Sequence, residues 1–339
     1  MKDLVSIQQK LVPDLLQTMQ WRYQILQRIF LTQPIGRRTL AQSLNTTERI
    51  LRSEVEFFKQ QGLLAVESVG MHITDSGLSL LRDLDQVMRD VSGISSLEAQ
   101  VSERLGIDQV IIVNGDSDED PLIKRELGYA TAVWLRQEIR SGDTIAVTGG
   151  TTIAMLAEMM PSLAHGMDVQ VVPARGGLGE NVEYQANTIA SRLAAKLGGT
   201  NKMLHVPDFV SEDVYQSLLA EPHVRERLAM IQSARIVIHG IGEALKMARR
   251  RQLPEETIRL LDSGHAIAEA FGYYFDQTGQ IVHVMNTVGL RLGDLKKIER
   301  IVGVAGGRSK AHAIVAVAKG CRQDVLVTDE GAARAIIQL

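Results

Sequence analysis

The stretch Val147 to Met155 reads VTGGTTIAM: a short apolar strand runs through two glycines and two threonines into a helical pattern. Residues of these types in this order suit an oxyanion. Glycines let backbone N–H groups come close at a helix N-terminus, where the aligned peptide dipoles favour negative charge, and the hydroxyls of Thr151 and Thr152 add two donors. Gly149, Gly150, Thr151 and Thr152 are therefore a candidate phosphate cradle on a helix expected to start near Ile153; the competing reading is a tight turn with capping threonines. A nucleotide is a poor fit. No Gly-Lys-Ser/Thr follows, and HGIGEAL has Leu245 where a dinucleotide fingerprint needs its third glycine.

Amides alone do not balance the charge of a phosphorylated ligand, so cations near other strand ends become informative. Arg175 follows VQVVPA, Lys310 follows VGVAGGRS, and Arg249-Arg250-Arg251 closes a helical segment. Each is either a ligand contact or an ordinary surface charge. Catalytic sets are harder to assemble: there is no HExxH, no CxxC and no paired histidines at ligand spacing, which argues against a built-in metal. Gly307-Arg308-Ser309-Lys310-Ala311 misses the nucleophile elbow at its last position. Asp116, Asp118 and Asp120 lack the glycine and terminal glutamate of a calcium loop, and Asp120-Pro121 reads as a helix cap with a first-turn proline. Glu269 is left as either a general base or an acceptor for sugar hydroxyls, and Asp329 as an acid/base group or, more simply, a helix cap.

The elements that must position these residues follow from Gln109 onward, where VIIV, IAVT, VQVVPA, RIVIHG, IVGVAG and VLVT alternate with helical segments. That alternation predicts a mainly parallel sheet covered on both faces. Ligands of such sheets bind beyond the carboxyl ends of the strands. The glycine turns at 149–150, 176–177, 240–242 and 306–307 should therefore share one rim.

The first ninety residues have a different plan. Ile25, Leu26, Ile29 and Phe30 form one helix face; GRRTLAQSL gives a short second helix with Leu40, Ala41 and Leu44 inward; and Leu51, Val55 and Phe58 mark a third, capped by Thr46 or Thr47 and ended at Gly62. Leu64 to Thr74 then alternates around Gly70 as a hairpin. Three helices and a wing make a winged helix-turn-helix, whose third helix enters the major groove. Arg49, Arg52 and Ser53 on that helix are candidate base contacts, and Arg37 and Arg38 on the second are candidate backbone contacts. A helical bundle that binds protein is the alternative, and Glu48, Glu54 and Glu56 dilute the basic face. Beyond it, Leu80, Leu84, Val87, Val91, Ile94, Val101 and Leu105 follow a heptad-like stripe. The stripe is broken at Ser92-Gly93, with a capping box expected from Ser95 to Glu98. It serves either to pair two chains or to pack on its own domain.

Bulk properties agree with two soluble folding units. The chain has 339 residues, 45% hydrophobic and 23% charged, which excludes a disordered or fibrous protein. Its apolar runs are too short to span a bilayer, and MKDLVSIQQKLVPDLL lacks the layout of a signal peptide, so the expected compartment is the cytoplasm, with no membrane partner. The single cysteine, Cys321, is expected to be a small buried hydrophobe. Net charge is −3, yet residues 1–60 carry nine basic and five acidic side chains, so the excess of positive charge lies at the end predicted to meet a polyanion.

Read in order behind the winged region, VTGGTT, VPARGGLGE, HGIGEA, EAFGYYF, VAGGRSKA and VLVTDEGAA resemble the sugar-responsive repressors of the sorbitol-operon-regulator (SorC) family over essentially the whole chain. The resemblance implies a multidomain protein: a winged helix-turn-helix over 1–75, linker helices that promote dimerisation over 76–105, and an α/β effector domain over 106–339 similar to sugar-phosphate isomerases. It implies a repressor rather than an enzyme, acting as a dimer or tetramer on double-stranded operator DNA, with no cofactor and with fructose 1,6-bisphosphate as effector. It places one phosphate on Gly149, Gly150, Thr151, Thr152 and Lys310, with Arg175 nearby. The other phosphate falls to Arg250 and Arg251, and the sugar hydroxyls to Gln185 and Glu269. The remaining alternative is a sugar-phosphate isomerase carrying a fused helical module.

Overall fold

A computed structural model describes residues 11–339 apart from 164, 178–180 and 208–209; the first ten residues and the last three of VPARGGLGE lie outside the described residues. The chain divides into two units, Met1–Ser96 and Leu97–Leu339, and the division falls within a helix of the expected linker.

In the first unit, helix α1 (Pro13–Thr32) opens on a proline, whose missing N–H costs nothing in a first turn. It stops where Pro34 forces Gln33 out of the helical region, at ψ 140°. The side chain of Gln33 then accepts the Ile73 N–H at 2.8 Å, fastening the hairpin to the end of α1. Helix α2 (Arg37–Ser43) and helix α3 (Glu48–Gln60) follow, the latter capped by Thr47, whose hydroxyl accepts the Ile50 N–H. Strands β1 (Leu64–Glu67) and β2 (Gly70–Ile73) pair antiparallel, and Ile35 bridges to Met71 on the far side. The hairpin turn falls at Ser68-Val69, so Gly70 is paired opposite Glu67 and does not sit at the tip as the alternation suggested. Ile25, Ile29, Leu40, Leu51, Val55 and Phe58 are buried at the centre, whereas Leu44 is only half-buried.

Helices α4 (Asp75–Val91) and α5 (Ile94–Leu105) meet at Ser92-Gly93, as the sequence predicted. Leu80, Leu84, Val87 and Val91 are half-buried against the first unit's own core beside Leu81 and Met88, so within one chain the stripe serves its own domain. The expected capping box is absent among the described contacts. Helix α5 already begins at Ile94; Ser95 donates its hydroxyl to Asp90 and Glu98 accepts the Ile112 N–H, because partners elsewhere in the fold compete successfully for both side chains.

The second unit is built on seven parallel strands: β3 (Gln109–Val113), β4 (Thr144–Val147), β5 (Gln170–Pro173), β6 (Thr200–Asn201), β7 (Ile236–Gly240), β12 (Arg300–Val304) and β13 (Val325–Asp329), in the order β3-β13-β12-β7-β4-β5-β6. Successive residues such as Ile145, Ala146 and Val147 are all buried, the pattern of strands covered on both faces. The helices of this unit after α5 are α6 (Ile123–Glu138), α7 (Thr151–Met159), α8 (Ala186–Leu197), α9 (Glu212–Ala220), α10 (Pro222–Gln232), α11 (Ala244–Arg250), α12 (Glu255–Ser263), α13 (Ala311–Gly320) and α14 (Glu330–Gln338). From β4 the chain adds strands on one side, and from β7 on the other. The switch point therefore lies between β4 and β7, where an open parallel sheet leaves a crevice for ligand.

A second sheet, antiparallel and ordered β11-β10-β9-β8, is formed by β8 (Gly242–Glu243), β9 (Ala268–Ala270), β10 (Tyr273–Phe275) and β11 (Ile281–Val284). Strands of two to four residues carry too little periodicity to be read in advance. Cys321 is buried, and burial pushes its thiol up to about 12, consistent with an inert core residue. No helix among the described residues is long and apolar enough to cross a membrane.

Candidate functional site

The switch point opens into a cavity of about 290 Å³, the size class of a small-ligand site. Its walls include Gly149, Gly150, Thr151, Thr152, Arg175, Gln185, Arg250, Arg251, Glu269 and Lys310, residues separated by up to 161 positions along the chain. The glycine turns at 149–150, 176–177 and 240–242 share this rim as expected. Gly306 and Gly307, just after β12 on the same carboxyl-end rim of the sheet, do not line the cavity. A Cβ on Gly306 would stand 2.4 Å from Asp329 Oδ2, and one on Gly307, at φ +100°, 2.5 Å from Asp118 Oδ1; close packing against carboxylates is what this pair serves.

Helix α7 begins at Thr151, two residues before the position expected, and has no side-chain cap. Its first-turn N–H groups lack intrahelical partners by the geometry of any helix start, and they lie at the cavity wall. Gly150 contributes differently from expectation. Its N–H is donated to Tyr184 O at 2.9 Å, so its role is conformational: at φ +129° it turns β4 into α7, a backbone state that side chains resist. Thr148, buried beneath, accepts the Gly240 N–H at 3.2 Å and so joins the loops after β4 and β7. Thr152 is buried and Gln185 sits at the N-cap of α8, both at the cavity wall.

Glu269, on β9, is 4% exposed and surrounded by donors. Arg251 reaches both its oxygens, Nη1 to Oε1 at 3.0 Å and Nη2 to Oε2 at 3.2 Å. Arg175 approaches at 3.5 Å, and the Gly272 N–H donates at 2.8 Å. Burial by itself would raise the carboxyl's pKa, but the charges of Arg251 and Arg175, the Arg251 hydrogen bond and the Gly272 amide outweigh it and hold it below the ordinary carboxylate range. Glu269 is thus a fixed anion. Arg251, assigned from sequence to a phosphate, lines the cavity and pairs with this carboxylate. Arg250 is exposed, with its guanidinium 5.9 Å from the Tyr184 ring.

Lys310 stands just before α13, on a short helical turn. The loop that carries it is fastened by acids from two other strand ends. Asp118 accepts the Ser309 N–H at 2.8 Å, Asp116 accepts the Arg308 N–H at 3.2 Å, and Asp329 accepts the Gly307 N–H at 2.7 Å. Asp329 also caps α14 through Ala332 N, the simpler of the two roles the sequence offered, and Asp120 caps the turn entering α6 through Leu122 N. Burial and the neighbouring Lys124 push the Lys310 ammonium down, against the opposing pull of Glu243, Asp118 and Asp329. An anion beside it would restore its proton affinity.

Among the cavity residues that escaped the sequence reading are Tyr184, Glu243, Lys246 and Phe271. Glu243 and Lys246 were within view, three residues apart in HGIGEALK, and their spacing was a usable signal of a shared helix face. Tyr184 and Phe271 had no such mark. Among the described residues no group of three or more His, Cys, Asp or Glu side chains is placed to hold a metal.

In the first unit, Arg37 and Arg38 are exposed at the start of α2, and Arg49, Arg52 and Ser53 are exposed on α3, opposite its buried Leu51, Val55 and Phe58. Ser53 donates its hydroxyl to Ile50 O at 2.8 Å, which leaves its oxygen free only as an acceptor. Glu54 is drawn off the basic face by Arg22, at 2.9 Å, whose guanidinium also covers the Phe57 ring at 3.8 Å. Glu56 remains exposed among the candidates.

Residues 18–88 match the family model described as "CggR N-terminal DNA binding domain", and residues 89–338 match "Putative sugar-binding domain". The chain is similar to the Central glycolytic genes regulator of Priestia megaterium, 48% identical over 340 residues covering 100% of this chain and 99% of that protein. It is likewise similar to the Central glycolytic genes regulator of Bacillus subtilis, 47% identical over 338 residues with the same coverage. The crystal structure of the "putative SorC family transcriptional regulator" from Enterococcus faecalis is 42% identical, with a TM-score of 0.67 over 71% of this chain and 99% of that one. Full-length SorC from Klebsiella pneumoniae, 19% identical, shares the fold with a TM-score of 0.69 over 94% of this chain and 98% of its own.

Proposed function

Since this chain belongs to the SorC family of transcriptional regulators, with a DNA-binding domain and a sugar-binding domain, we propose that it represses central glycolytic genes and that fructose 1,6-bisphosphate in the cavity modulates its grip on operator DNA. The observation that carries this reading is the cavity itself, which gathers a glycine-threonine helix start, Lys310 and Arg250 around a fixed carboxylate. One phosphate lies on the 149–152 loop with Lys310, the second lies towards Arg250, and Glu269 and Gln185 take the sugar hydroxyls. The name shared by the Priestia megaterium and Bacillus subtilis relatives, Central glycolytic genes regulator, supports the choice of genes.

On DNA, α3 enters the major groove with Arg49 and Arg52 at the base edges, while Arg37 and Arg38 hold the backbone. The protein works in the cytoplasm as a homo-oligomer, a dimer or tetramer, since paired half-sites need paired readers. Effector can alter operator affinity only if it prefers one state of that oligomer, and the helices over 76–105 are the element through which such a preference is expressed. Titration of fructose 1,6-bisphosphate into a labelled operator complex tests the reading, with fructose 6-phosphate as control. A change with the bisphosphate supports it; unchanged affinity with both sugars rejects it.

Geometry also weighs against the isomerase alternative. Arg251, Arg175 and the Gly272 N–H occupy the oxygens of Glu269 and hold its pKa down, the opposite of the tuning that favours a general base near neutral pH. Absence of proton exchange beside the ligand carbonyl, followed by NMR, is the expected result.

A further inference from the structure

We infer that Lys246 is the second cation of the clamp on the outer phosphate, with Arg250, and that Glu243 limits its availability so that the clamp closes on a phosphate and not on a hydroxyl. This rests on the reading of the cavity as a site for a sugar bisphosphate. A phosphate dianion at the outer end needs two cations, and the arginine run supplies fewer than its length suggests. Arg249 does not line the cavity, and Arg251 spends its guanidinium on both oxygens of Glu269. Moving Arg251 to a phosphate would leave a buried carboxylate with the Gly272 N–H and the more distant Arg175 guanidinium, at 3.5 Å.

Lys246 meets the requirement. It lies four residues before Arg250 on α11, a spacing that puts Cβ atoms about 6 Å apart on one helix face, and both side chains line the cavity. Its ammonium is held by Glu243 Oε2 at 2.5 Å, and the Lys246 side chain is 69% exposed. Exposed pairs of this kind are weak, and the lysine stem is flexible enough to exchange one oxyanion for another. The mouth therefore carries two cations and one carboxylate. A phosphate displaces Glu243 from Lys246 and settles between the ammonium and the Arg250 guanidinium. A hydroxyl cannot compete for the ammonium, so the pair stays closed and a monophosphate gains nothing at this end.

The test is calorimetric, on the full chain at constant ionic strength, with fructose 1,6-bisphosphate, fructose 1-phosphate and fructose 6-phosphate as probes. Lys246→Met is expected to weaken the bisphosphate about tenfold, the lower end for losing a charge-assisted hydrogen bond, and to leave both monophosphates within about twofold. Glu243→Gln is expected to tighten the bisphosphate severalfold by releasing the ammonium. Monophosphate affinity reports that each variant is folded. A bisphosphate affinity unaltered by Lys246→Met while Arg250→Ala lowers it, or equal losses for mono- and bisphosphates in Lys246→Met, would overturn the clamp and leave the cavity's function standing. Failure of the unaltered protein to bind any of the three sugars would overturn both.

Discussion

Arg49 and Arg52 of the first unit and Arg175 and Arg251 of the second carry the same charge in opposite circumstances. The first two are exposed and, among the described residues, in no ion pair; the second two have side chains 9% and 11% exposed and share Glu269. The contrast follows from how each ligand arrives. DNA brings its own counterions and approaches from outside, so cations that meet it gain by being hydrated, mobile and ready to replace those counterions. A small sugar phosphate is enclosed, and cations that wait for it in a desolvated pocket need a fixed carboxylate to be tolerable when it is absent. Electrostatic design thus differs between the units: one keeps its charges adaptable, the other aims them beforehand.

The largest expected effect sets the two regimes against each other. Glu269→Ala should cost about 3 kcal/mol of stability, because it removes the carboxylate shared by the buried Arg175 and the partly buried Arg251, and should lower the melting temperature of the second unit by about 6–12 °C. Arg49→Ala should shift stability by less than about 0.5 kcal/mol. Thermal unfolding followed by circular dichroism compares them, and equal shifts would erase the distinction. Next in size, Arg49→Ala should weaken the operator complex by about 1–3 kcal/mol and relax preference at one base pair, whereas Arg37→Ala should weaken all sequences alike and reduce the slope of log affinity against log salt by about one. Fluorescence anisotropy at several salt concentrations separates the two behaviours.

A smaller effect concerns pH. Lys310 in the empty cavity has a lowered pKa through burial and Lys124, and a bound phosphate raises it again. Between those two values binding takes up a proton, so bisphosphate affinity should fall as pH rises through that window, by less than about tenfold per unit. Lys310→Arg should flatten the dependence. Calorimetry in buffers of different ionisation enthalpy measures the proton count, and a count of zero would remove Lys310 from the phosphate. Smallest of all, Thr152→Ala should cost about 1 kcal/mol for mono- and bisphosphate equally, since it acts at the inner cradle; Arg250→Ala should act on the bisphosphate alone.

The legible parts of this molecule are those governed by neighbours in sequence. Leu51, Val55 and Phe58 announce a helix face by spacing, Thr47 a cap, and VIIV or IAVT a buried strand, and each of these elements stands where its pattern put it. The cavity was legible in outline because strands of one direction must bring their glycine-rich ends to one rim. What was not legible was of another kind. The Gly150 amide, read as part of a phosphate cradle, is donated to Tyr184, thirty-four positions away, and the 306–307 turn, on the expected rim after β12, packs against Asp118 and Asp329 and does not line the cavity. The second sheet, with strands of two to four residues, left no periodic trace at all.

By itself the sequence determined two folding units of different class, a helix that presents Arg49 and Arg52 in one and a glycine-threonine helix start in the other, because hydrophobic period, capping chemistry and glycine placement act over a few residues. Tertiary structure alone decided which cations line the cavity and which partners they meet. Arg251 was assigned to Glu269, Lys310 was fixed through Asp116, Asp118 and Asp329, and Lys246 was left at the mouth beside Glu243. Whether a charge is spent or available depends on partners brought in from distant strand ends, and spacing along the chain carries no record of them.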